Sequence, residues 1–486
     1  MTLARWALLT WVLTPNLLFG KLAPLQLEGF PLQMEWADID GDGRLDLTAL
    51  MTRSQTEGEL ETYFVAGRLR GIYEDKTVQE KYLLTLIQGP DGWVEQHRLE
   101  LGRETVLGFA IGEEKELVLW KSGVLIRHRL LENRWQPYQN LDTPGILAGE
   151  TVFLSEFPFW KIGKNGPVWL VPDVNGIHLT TFQPDLDERF LAYPAFVSAR
   201  NHTDEKGHHI ELNMPSFVSL DGDAYDELVF QGEDRAMGWS LDSRSPPYEG
   251  HAEGVLVDLN GDGLADLIQS EEEGDIERLK DLPKVQSRIR TYLAKSPLVF
   301  ESRPQTDQLV PGFILAAEDS DITLADPFLD INGDGLKDLL GVAFKFSWLQ
   351  VTKLVTTGRF KLKFLLFLII QKPDGSFSPL AGNPFPMVWK LNLRRLKMPE
   401  FAQITADFDG DGWLDILVEK DTRLEITRLD GAGIPAQPTW KVPIPTTVRD
   451  PDQVFGRDLT GDGRDEFILV KIQNRQTRLE FVEYAP

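Results

Sequence analysis

One short acidic motif recurs along the chain and constrains its fold more than any other feature. The motif places oxygen-bearing side chains at alternate positions, with glycines between them, and runs directly into hydrophobic sequence. The clear copies are DIDGDGRLDL from Asp38, DLNGDGLADL from Asp258, DINGDGLKDL from Asp330, DFDGDGWLDI from Asp407 and DLTGDGRDEF from Asp458. A weaker copy, SLDGDAYDEL, begins at Ser219. Such repeats predict a structure built from similar units.

The longest interval between copies, from Asp38 to Ser219, contains two degraded copies. IGEEKELVLW at 111–120 keeps a glycine, acidic residues and a strand-like end, and KIGKNGPVWL at 161–170 keeps the glycines but no carboxylate. Counting both gives eight units of about 60 residues each, which cover nearly the whole chain. Because the first degraded copy lacks a full set of acidic positions, we expect replacement of its glutamates, Glu113 and Glu116, to change neither the number of bound ions nor the shift of the melting temperature on chelation.

The segments that follow the motifs predict β-strands. LVFQG from Leu228, ILVEK from Ile416 and FILVKI from Phe467 are short, β-branched-rich runs bounded by turns. An EF-hand would need flanking helices and a glutamate at loop position 12. Position 12 holds instead Ala49, Gln269, Gly341, Val418 and Leu469. The EF-hand and the helix-flanked dockerin loop are therefore excluded, as are β-rolls, whose motif recurs every nine residues.

The loop spacing suits calcium, which takes six to eight hard oxygen ligands in a flexible geometry. Positions 1, 3, 5 and 9 would supply side-chain oxygens and position 7 a backbone carbonyl, while the glycines allow the chain to curl around the ion. Magnesium fits less well because it prefers smaller, near-octahedral, largely hydrated sites. The sequence therefore predicts four complete calcium sites and up to six in all.

The predicted ligands fall into four complete sets and two incomplete ones. The complete sets are Asp38, Asp40, Asp42, Arg44 and Asp46; Asp258, Asn260, Asp262, Leu264 and Asp266; Asp330, Asn332, Asp334, Leu336 and Asp338; and Asp407, Asp409, Asp411, Trp413 and Asp415. The incomplete sets are Asp221, Asp223, Tyr225 and Glu227, and Asp458, Thr460, Asp462, Arg464 and Glu466. We expect weaker binding at the incomplete sets.

The repeated pattern D-x-[DN]-G-D-G-x-x-D-[LI] resembles the FG-GAP/VCBS repeats of integrin alpha-like β-propellers, over about residues 25–486. Phe455-Gly456 and Gly108-Phe109 are partial echoes of the motif that gives the family its name, and a clear Gly-Ala-Pro element is absent. The resemblance implies an all-β fold of seven or eight four-stranded blades with calcium loops within blades, each loop tying together two strands of its blade. The unit count favours eight. Radial stacking would bury both faces of each small sheet, so we expect residues 24–486 to form a single closed domain.

Charge and the N-terminus limit location and partners. With 75 acidic and 50 basic residues, the formal charge of -25 would repel phosphate backbones and argues against nucleic acid. Residues 1–23 place Arg5 before an apolar stretch that ends in small residues, which is typical of a secretory signal peptide. That stretch is shorter than the roughly 20 residues needed to span a bilayer. We expect a secreted or periplasmic monomer without disulfides, because the chain has no cysteine.

The sequence favours binding over catalysis. No Gly-x-Ser-x-Gly elbow, P-loop or H-E-x-x-H motif occurs. The histidines within 201–209 are interpreted as part of a solvated loop, and the long segments 271–326 and 342–406 are where a partner site could be grafted. The main hypothesis is a calcium-binding propeller that acts as a protein- or glycan-binding or adhesion module. The alternative is a polysaccharide lyase-like enzyme. Some tryptophans could stack on sugars, although strand packing is the favoured role: Trp348, Trp389, Trp413 and Trp440.

Overall fold

The chain folds almost entirely into antiparallel β-strands. The computed structural model describes residues 22–482 except 54–60, 66–67, 73–79, 91, 104–105, 113–114, 122, 132–133, 144–151, 154–159, 165, 174, 183–188, 198, 205–206, 213–214, 224, 242–244, 274–283, 315–327, 346–358, 393–402, 421, 450–452 and 474. Most of the predicted signal peptide, residues 1–21, lies outside the described residues.

The strands of the first half of the chain begin just after residue 22. They are β1 (Leu25–Glu28), β2 (Phe30–Ala37), β3 (Asp46–Thr52), β4 (Glu61–Val65), β5 (Arg68–Ile72), β6 (Lys81–Gly89), β7 (Gly92–Gly102), β8 (Val106–Ile111), β9 (Glu116–Lys121), β10 (Val124–Leu131), β11 (Arg134–Asp142), β12 (Val152–Phe153), β13 (Trp160–Gly163), β14 (Gly166–Asp173), β15 (Gly176–Thr181), β16 (Arg189–Ala192), β17 (Ala199–Asp204), β18 (Gly207–Leu212), β19 (Ser216–Val218), β20 (Glu227–Gln231), β21 (Arg235–Trp239) and β22 (Tyr248–His251).

The strands of the second half continue the same antiparallel pattern. They are β23 (Val255–Val257), β24 (Asp266–Glu273), β25 (Gln286–Tyr292), β26 (Ala294–Ser296), β27 (Val299–Phe300), β28 (Thr306–Pro311), β29 (Phe313–Ile314), β30 (Phe328–Leu329), β31 (Asp338–Lys345), β32 (Arg359–Gln371), β33 (Phe377–Pro379), β34 (Phe385–Asn392), β35 (Gln403–Ala406), β36 (Asp415–Lys420), β37 (Arg423–Thr427), β38 (Trp440–Pro443), β39 (Gln453–Arg457), β40 (Glu466–Gln473) and β41 (Gln476–Val482). A 3-10 turn spans Thr446–Val448.

Within the described residues, eight sheets of four or more strands form the blades of a propeller. Their strand orders are β2-β3-β6-β7 in blade 1, β8-β9-β10-β11 in blade 2, β13-β14-β15-β16 in blade 3, β19-β20-β21-β22 in blade 4, β23-β24-β25-β28 in blade 5, β29-β31-β32-β33 in blade 6, β35-β36-β37-β38 in blade 7 and β39-β40-β41-β1 in blade 8. Blade 1 is extended by β4 and β5, and blade 6 by β30 and β34. The predicted all-β propeller is confirmed, with eight blades rather than seven.

The hydrophobic cores lie between consecutive blades. Leu47 of blade 1 and Ile468 of blade 8 belong to one core, and Ile289 of blade 5 and Phe367 of blade 6 belong to another. Comparable cores fill the remaining six contacts between neighbouring blades of the described chain. Since a core also joins blade 8 to blade 1, the ring is closed. Stacking in a ring is how small sheets bury both faces.

The two ends of the described chain complete one blade. The N-terminal strand β1 pairs with the C-terminal strand β41, with Leu25 opposite Leu479 and Glu28 opposite Gln476. Thr477 Oγ1 donates a hydrogen bond to the carbonyl of Gly29 at 2.9 Å. The prediction that the last strands complete a blade or pair with the N-terminal segment is confirmed.

The second strands of the blades begin with a run of buried residues, which explains their hydrophobic sequence after the acidic motif. Every residue of β3 is buried. The stretch FLLFLII from Phe364, predicted as a buried strand, lies in β32 and is largely buried. No helix of the described residues is long and apolar enough to cross a membrane.

One predicted loop is a β-hairpin. The stretch 201–209, interpreted from sequence as a solvated loop, contributes to β17 and β18, which pair with each other, and β18 also pairs with β12. The stretch is rich in polar residues, which have low strand propensity, and the pairing of β17 with β18 outweighs that propensity. The predicted partner-site segments 271–326 and 342–406 lie partly outside the described residues, as does all of Trp348.

Candidate metal centres

The acidic loops occupy the same place in their blades. Each connects the first strand of a blade to the second, and loop position 9 is the first residue of that second strand. The loops are 38–46 in blade 1, 219–227 in blade 4, 258–266 in blade 5, 330–338 in blade 6, 407–415 in blade 7 and 458–466 in blade 8. The degraded copies join the corresponding strands of blades 2 and 3, so the prediction of eight related units is confirmed.

Position 1 organises the loop through backbone hydrogen bonds. In blade 1, Oδ1 of Asp38 accepts the N–H of Gly41 at 2.5 Å and Oδ2 accepts that of Gly43 at 3.1 Å. Both glycines have a φ of 88°, a conformation costly for residues with a side chain. The chain is thereby wrapped around the carboxylate of position 1.

The same wrapping recurs in three other loops. Asp258, Asp407 and Asp458 each accept hydrogen bonds from both loop glycines at 2.7–2.9 Å. Position 5 accepts the backbone N–H of position 7 at 2.9–3.0 Å in all six loops, where position 7 is Arg44, Tyr225, Leu264, Leu336, Trp413 and Arg464. Ligation by the carbonyls of position 7 stays a prediction.

Position 9 joins the loop to the third strand of the blade. In blade 5, Oδ2 of Asp266 accepts the N–H of Leu259 at 3.2 Å, and Oδ1 accepts that of Ala294, which follows the third strand, at 2.7 Å. The same pair of bonds is made by Asp46, Asp338 and Asp415. All four aspartates are fully buried. The carboxylate of position 9 is therefore a structural clamp whether or not it also binds metal.

For the two glutamates at position 9, the described residues show the bond to the loop and none to the third strand. Glu227 accepts the N–H of Leu220 at 2.6 Å, and Glu466 accepts that of Leu459 at 2.7 Å. Thr460, a predicted ligand, donates its hydroxyl to Oε1 of Glu466 at 3.2 Å. The side chains of both glutamates thus reach their own loops. These are the two loops that the sequence ranks as incomplete.

Burial makes the charged form of position 9 unfavourable in the protein alone. Desolvation raises the pKa of Asp266 and Asp338 to about 6 and that of Glu227, Asp415 and Glu466 to about 7, although backbone hydrogen bonds partly oppose the rise. The pKa of Asp46 is raised for the same reason. A nearby cation would favour the charged forms.

Four loops bring three carboxylates close enough to share one ion. Within each group, one oxygen per residue lies within 4.8 Å of the others: Asp38, Asp40 and Asp42; Asp221, Asp223 and Glu227; Asp407, Asp409 and Asp415; and Asp458, Asp462 and Glu466. The loops of blades 5 and 6 have asparagine at position 3, and its Nδ2 donates to the carboxylate of position 5 at 3.0 Å and 2.9 Å. Two of the four groups belong to the loops that the sequence ranks as weaker.

Neighbouring loops are hydrogen-bonded to each other. The N–H of position 8 donates to a carbonyl of the preceding blade's loop, as in Leu45 to Leu459 at 3.0 Å and Leu414 to Ile331 at 2.8 Å. Asp465 to Asp407 and Ala265 to Ser219 are further examples, at 2.9 Å and 2.8 Å. In blade 6, Gln371 Nε2 of the third strand reaches the carbonyl of Leu259 at 3.0 Å. The acidic loops therefore form a continuous arc from blade 4 through blade 8 to blade 1.

Lysines from the two blades with degraded copies meet the ends of this arc. Lys161 of blade 3 lies 2.9 Å from Oδ2 of Asp226 in the blade 4 loop. Lys115 of blade 2 lies 3.7 Å from Oδ1 of Asp38 in the blade 1 loop. The loops of the arc are acidic, and at each end of the arc a lysine ammonium group lies beside a loop carboxylate.

Blade 2 keeps the carboxylate of position 9 but supplies an arginine beside it. Glu116 is the first residue of β9 and is buried. Arg127 of β10 donates through Nε to Glu116 Oε2 at 2.7 Å, and Tyr138 donates to Oε1 at 2.5 Å. Glu116 is thus a buried and paired carboxylate that supports the blade. That its replacement leaves the bound ions and the chelation shift unchanged stays a prediction.

Two more contributors to the loops were missed from sequence. Asp465, at position 8 of the blade 8 loop, accepts the N–H of Asp407 at 2.7 Å and so ties two loops together. Its only sequence signal is an extra acid beside position 9. Arg428, which follows β37, lies against Asp409 and Asp411 of the blade 7 loop. Nothing in the motif indicates this arginine.

Two of the four tryptophans considered for sugar stacking pack against hydrophobic cores. Trp413 and Trp440 are half-buried and pack against the cores on either side of blade 7. The side chain of Trp389 lies outside the described part of the chain. The preference for a packing role therefore holds for Trp413 and Trp440.

Comparison with known families agrees with the loop geometry. Residues 407–469, which contain the loops of blades 7 and 8, match the FG-GAP-like repeat family. The chain is an eight-bladed β-propeller that contains an FG-GAP-like repeat. The family match covers two of the six acidic loops directly, and in the other four the position 5 carboxylate likewise accepts the N–H of position 7. No curated protein matches this propeller in sequence.

Several solved structures share partial similarity with the propeller. Rhamnogalacturonan lyase YesW is 12% identical, with a TM-score of 0.35 over 96% of this chain and 75% of that chain. The V. cholerae biofilm matrix protein Bap1 is 10% identical, with a TM-score of 0.30 over 95% of this chain and 89% of that chain. The Photorhabdus luminescens Tc holotoxin pore is 16% identical, with a TM-score of 0.30; the match covers 90% of this chain but only 20% of the toxin chain. At these scores the similarities carry no argument about function.

Proposed function

We propose that this FG-GAP-repeat propeller is an exported, calcium-stabilised binding module for a protein or a glycan. The observation that carries the calcium part is the arc of six hydrogen-bonded acidic loops. Calcium would bind through the side-chain oxygens of positions 1, 3, 5 and 9. Bound ions would neutralise carboxylates that otherwise repel each other across the arc.

The donor set fits calcium at the level of individual atoms. Every side-chain donor in the predicted sets is a hard oxygen, which calcium prefers over nitrogen or sulfur. In blade 7, Oδ1 of Asp409 is buried and has no hydrogen-bond partner among the described residues. A buried, unsatisfied carboxylate oxygen is costly, and an ion within the loop would satisfy it.

Binding is proposed over catalysis because the clustered carboxylates already accept hydrogen bonds within their own blades. The carboxylates of positions 1 and 9 accept backbone hydrogen bonds from their own loops. A general acid or base must instead be free to exchange a proton with a substrate. These loops therefore suit structural ions, and ligand recognition is assigned to other surfaces of the rigid ring.

Calcium titration of the intact chain tests the first part. The chelated protein, titrated with calcium by calorimetry, is expected to bind at least three ions with dissociation constants near roughly 0.1 mM, as in extracellular modules. Magnesium at the same concentration serves as the control and should bind more weakly. Binding of fewer than three calcium ions would contradict the proposal.

A glycan panel with both binding and turnover readouts tests the second part. The propeller is expected to retain at least one glycan or native extracellular protein without converting it. The control is the same panel with chelated protein, in which retention should fall as the ring loses its ions. Conversion of a polysaccharide by purified propeller would favour the lyase-like alternative.

A further inference from the structure

We propose that Arg428 is a tethered cation that competes with calcium for the blade 7 loop. The proposal rests on the proposed function, because it concerns regulation of one of the same loops. It makes blade 7 a site that fills at higher calcium concentration than a loop of equal composition without the arginine.

The contacts of Arg428 coincide with two predicted calcium ligands. Its Nε lies 2.7 Å from Oδ2 of Asp409, which is position 3, and its Nη2 lies 2.6 Å from Oδ2 of Asp411, which is position 5. The guanidinium thus spans two carboxylates that calcium would need. The side chain of Arg428 is 40% exposed, whereas that of Asp409 is 13% exposed. The arginine can therefore swing into solvent while the carboxylates stay in the loop.

Comparison among blades identifies Arg428 as a local departure from a common pattern. In four blades, a backbone N–H at or near the end of the third strand donates to the carboxylate of position 9. The four donors occupy equivalent places in their blades: Gln88, Ala294, Gln371 and Leu429. The residue just before it is aliphatic in three of these blades, namely Ile87, Leu293 and Ile370. Blade 7 has Arg428 there. The fold therefore does not require an arginine at this place.

Blade 2 provides an independent example of an arginine beside a loop carboxylate. Arg127, from the third strand of its blade, pairs with Glu116, which occupies position 9. In blade 2 the motif is degraded, and Arg127 is the counter-charge of the position 9 carboxylate. Blade 7 combines a complete loop with an arginine beside its carboxylates, so calcium and Arg428 would compete for the same oxygens.

The physical consequence differs between the calcium-free and calcium-loaded states. Without calcium, Arg428 relieves repulsion between Asp409 and Asp411 and stabilises the loop. With calcium, the ion must displace the guanidinium from both carboxylates or bind with fewer ligands. Two charge-assisted hydrogen bonds must then be exchanged for ion contacts. Arg428 therefore stabilises the calcium-free loop and lowers the affinity of that loop for calcium.

The test replaces the arginine by the residue found in blade 5. Arg428→Leu is expected to tighten calcium binding at one site about tenfold, as judged from the strength of charge-assisted pairs. The site can be read separately with terbium, a luminescent calcium substitute, because Trp413 lies at position 7 of this loop and can sensitise a bound lanthanide. The midpoint of tryptophan-sensitised luminescence should fall to lower terbium concentration in the variant. Loss of the signal on Trp413→Phe assigns it to blade 7.

Arg423→Leu is the matched control. Arg423 lies at the start of β37, pairs with Glu425 and does not contact the loop within the described contacts. This variant removes the same charge from the same blade, five residues away in sequence, and should leave the terbium midpoint unchanged. An equal shift in both variants would overturn the proposal by showing a general charge effect.

Thermal unfolding separates competition from simple structural support. Arg428→Leu should lower the melting temperature in chelator and lose that penalty, or reverse it, in saturating calcium. An equal loss in both conditions, with an unchanged terbium midpoint, would overturn the inference alone. If neither the variant nor the parent protein binds calcium at any loop, the proposed function fails and this inference fails with it.

Discussion

At the scale of single residues, position 9 of the loops is a clamp as well as a predicted ligand. Asp266 is fully buried and holds the N–H groups of Leu259 and Ala294 with its two oxygens. Asp262, at position 5, is exposed and accepts one loop N–H from Leu264. Two carboxylates of one predicted site therefore have different structural roles.

Replacing these residues separately should reveal the difference. In chelator, Asp266→Ala is expected to cost about 2–4 kcal/mol, because it leaves two buried N–H groups unsatisfied. Asp262→Ala should cost less than about 1 kcal/mol, because its partner N–H can bond to water. Urea unfolding of both variants measures the difference. Equal costs would mean that position 9 acts only through metal.

The raised pKa values of position 9 predict a pH dependence. Burial raises the pKa of Glu227, Asp415 and Glu466 to about 7, above their values in an unfolded chain. Such groups stabilise the fold at low pH, and this contribution is lost as pH rises through about 7. Chelated protein should therefore be more stable at pH 6.5 than at pH 8, on the order of 1 kcal/mol per group. Lower pH is avoided because burial lowers the pKa of His97 and His128, whose protonation opposes folding.

Unfolding of the chelated protein at the two pH values measures this effect. Saturating calcium should reduce the difference, because ligation requires the deprotonated carboxylates. A chelated protein that is more stable at pH 8 would contradict the assignment of buried, raised pKa values to position 9.

At the scale of elements, loops and strands were predictable because their signals are local. The spacing of glycines and aspartates encodes the turn directly, and the apolar run that follows encodes the second strand. Contacts between strands were not predictable in the same way. Arg428 and Asp411 meet because β36 and β37 pair in one register, and Arg127 meets Glu116 because β9 pairs with β10. A single sequence does not display such registers.

Blade 2 should depend on its arginine pair and be indifferent to calcium. Glu116→Gln or Arg127→Met breaks a largely buried ion pair and is expected to cost about 3 kcal/mol. The cost should be the same in chelator and in calcium, since the pair replaces an ion rather than binding one. Unfolding of each variant in both conditions measures it. A cost confined to the calcium-loaded protein would mean that blade 2 also binds metal.

At the scale of the whole molecule, the number of blades followed from counting units, whereas ring closure followed from reasoning about exposed edges. The core between blades 8 and 1 combines residues from both ends of the described chain, such as Met34 and Phe481. This core could not be located from sequence, because its two sides are separated by almost the whole chain.

Closure predicts that the N-terminal strand is essential. Deleting residues 22–29 removes β1 and exposes the edge of β41, which invites association with other chains. The deleted protein should aggregate or unfold at lower temperature than the parent, as measured by light scattering and calorimetry. A monomeric product with an unchanged melting temperature would contradict closure by β1.

The central claim, that calcium holds the ring together, is tested most directly by calorimetric unfolding of the chelated and the calcium-loaded propeller. With a dissociation constant near roughly 0.1 mM, about 1 mM calcium stabilises the fold by about 1.4 kcal/mol per site. Four sites would contribute on the order of 6 kcal/mol, comparable with the net stability of a typical domain. We therefore predict that chelation lowers the melting temperature substantially and that adding calcium restores it fully. An unaltered melting temperature would show that the acidic loops are ordinary turns and would contradict the account.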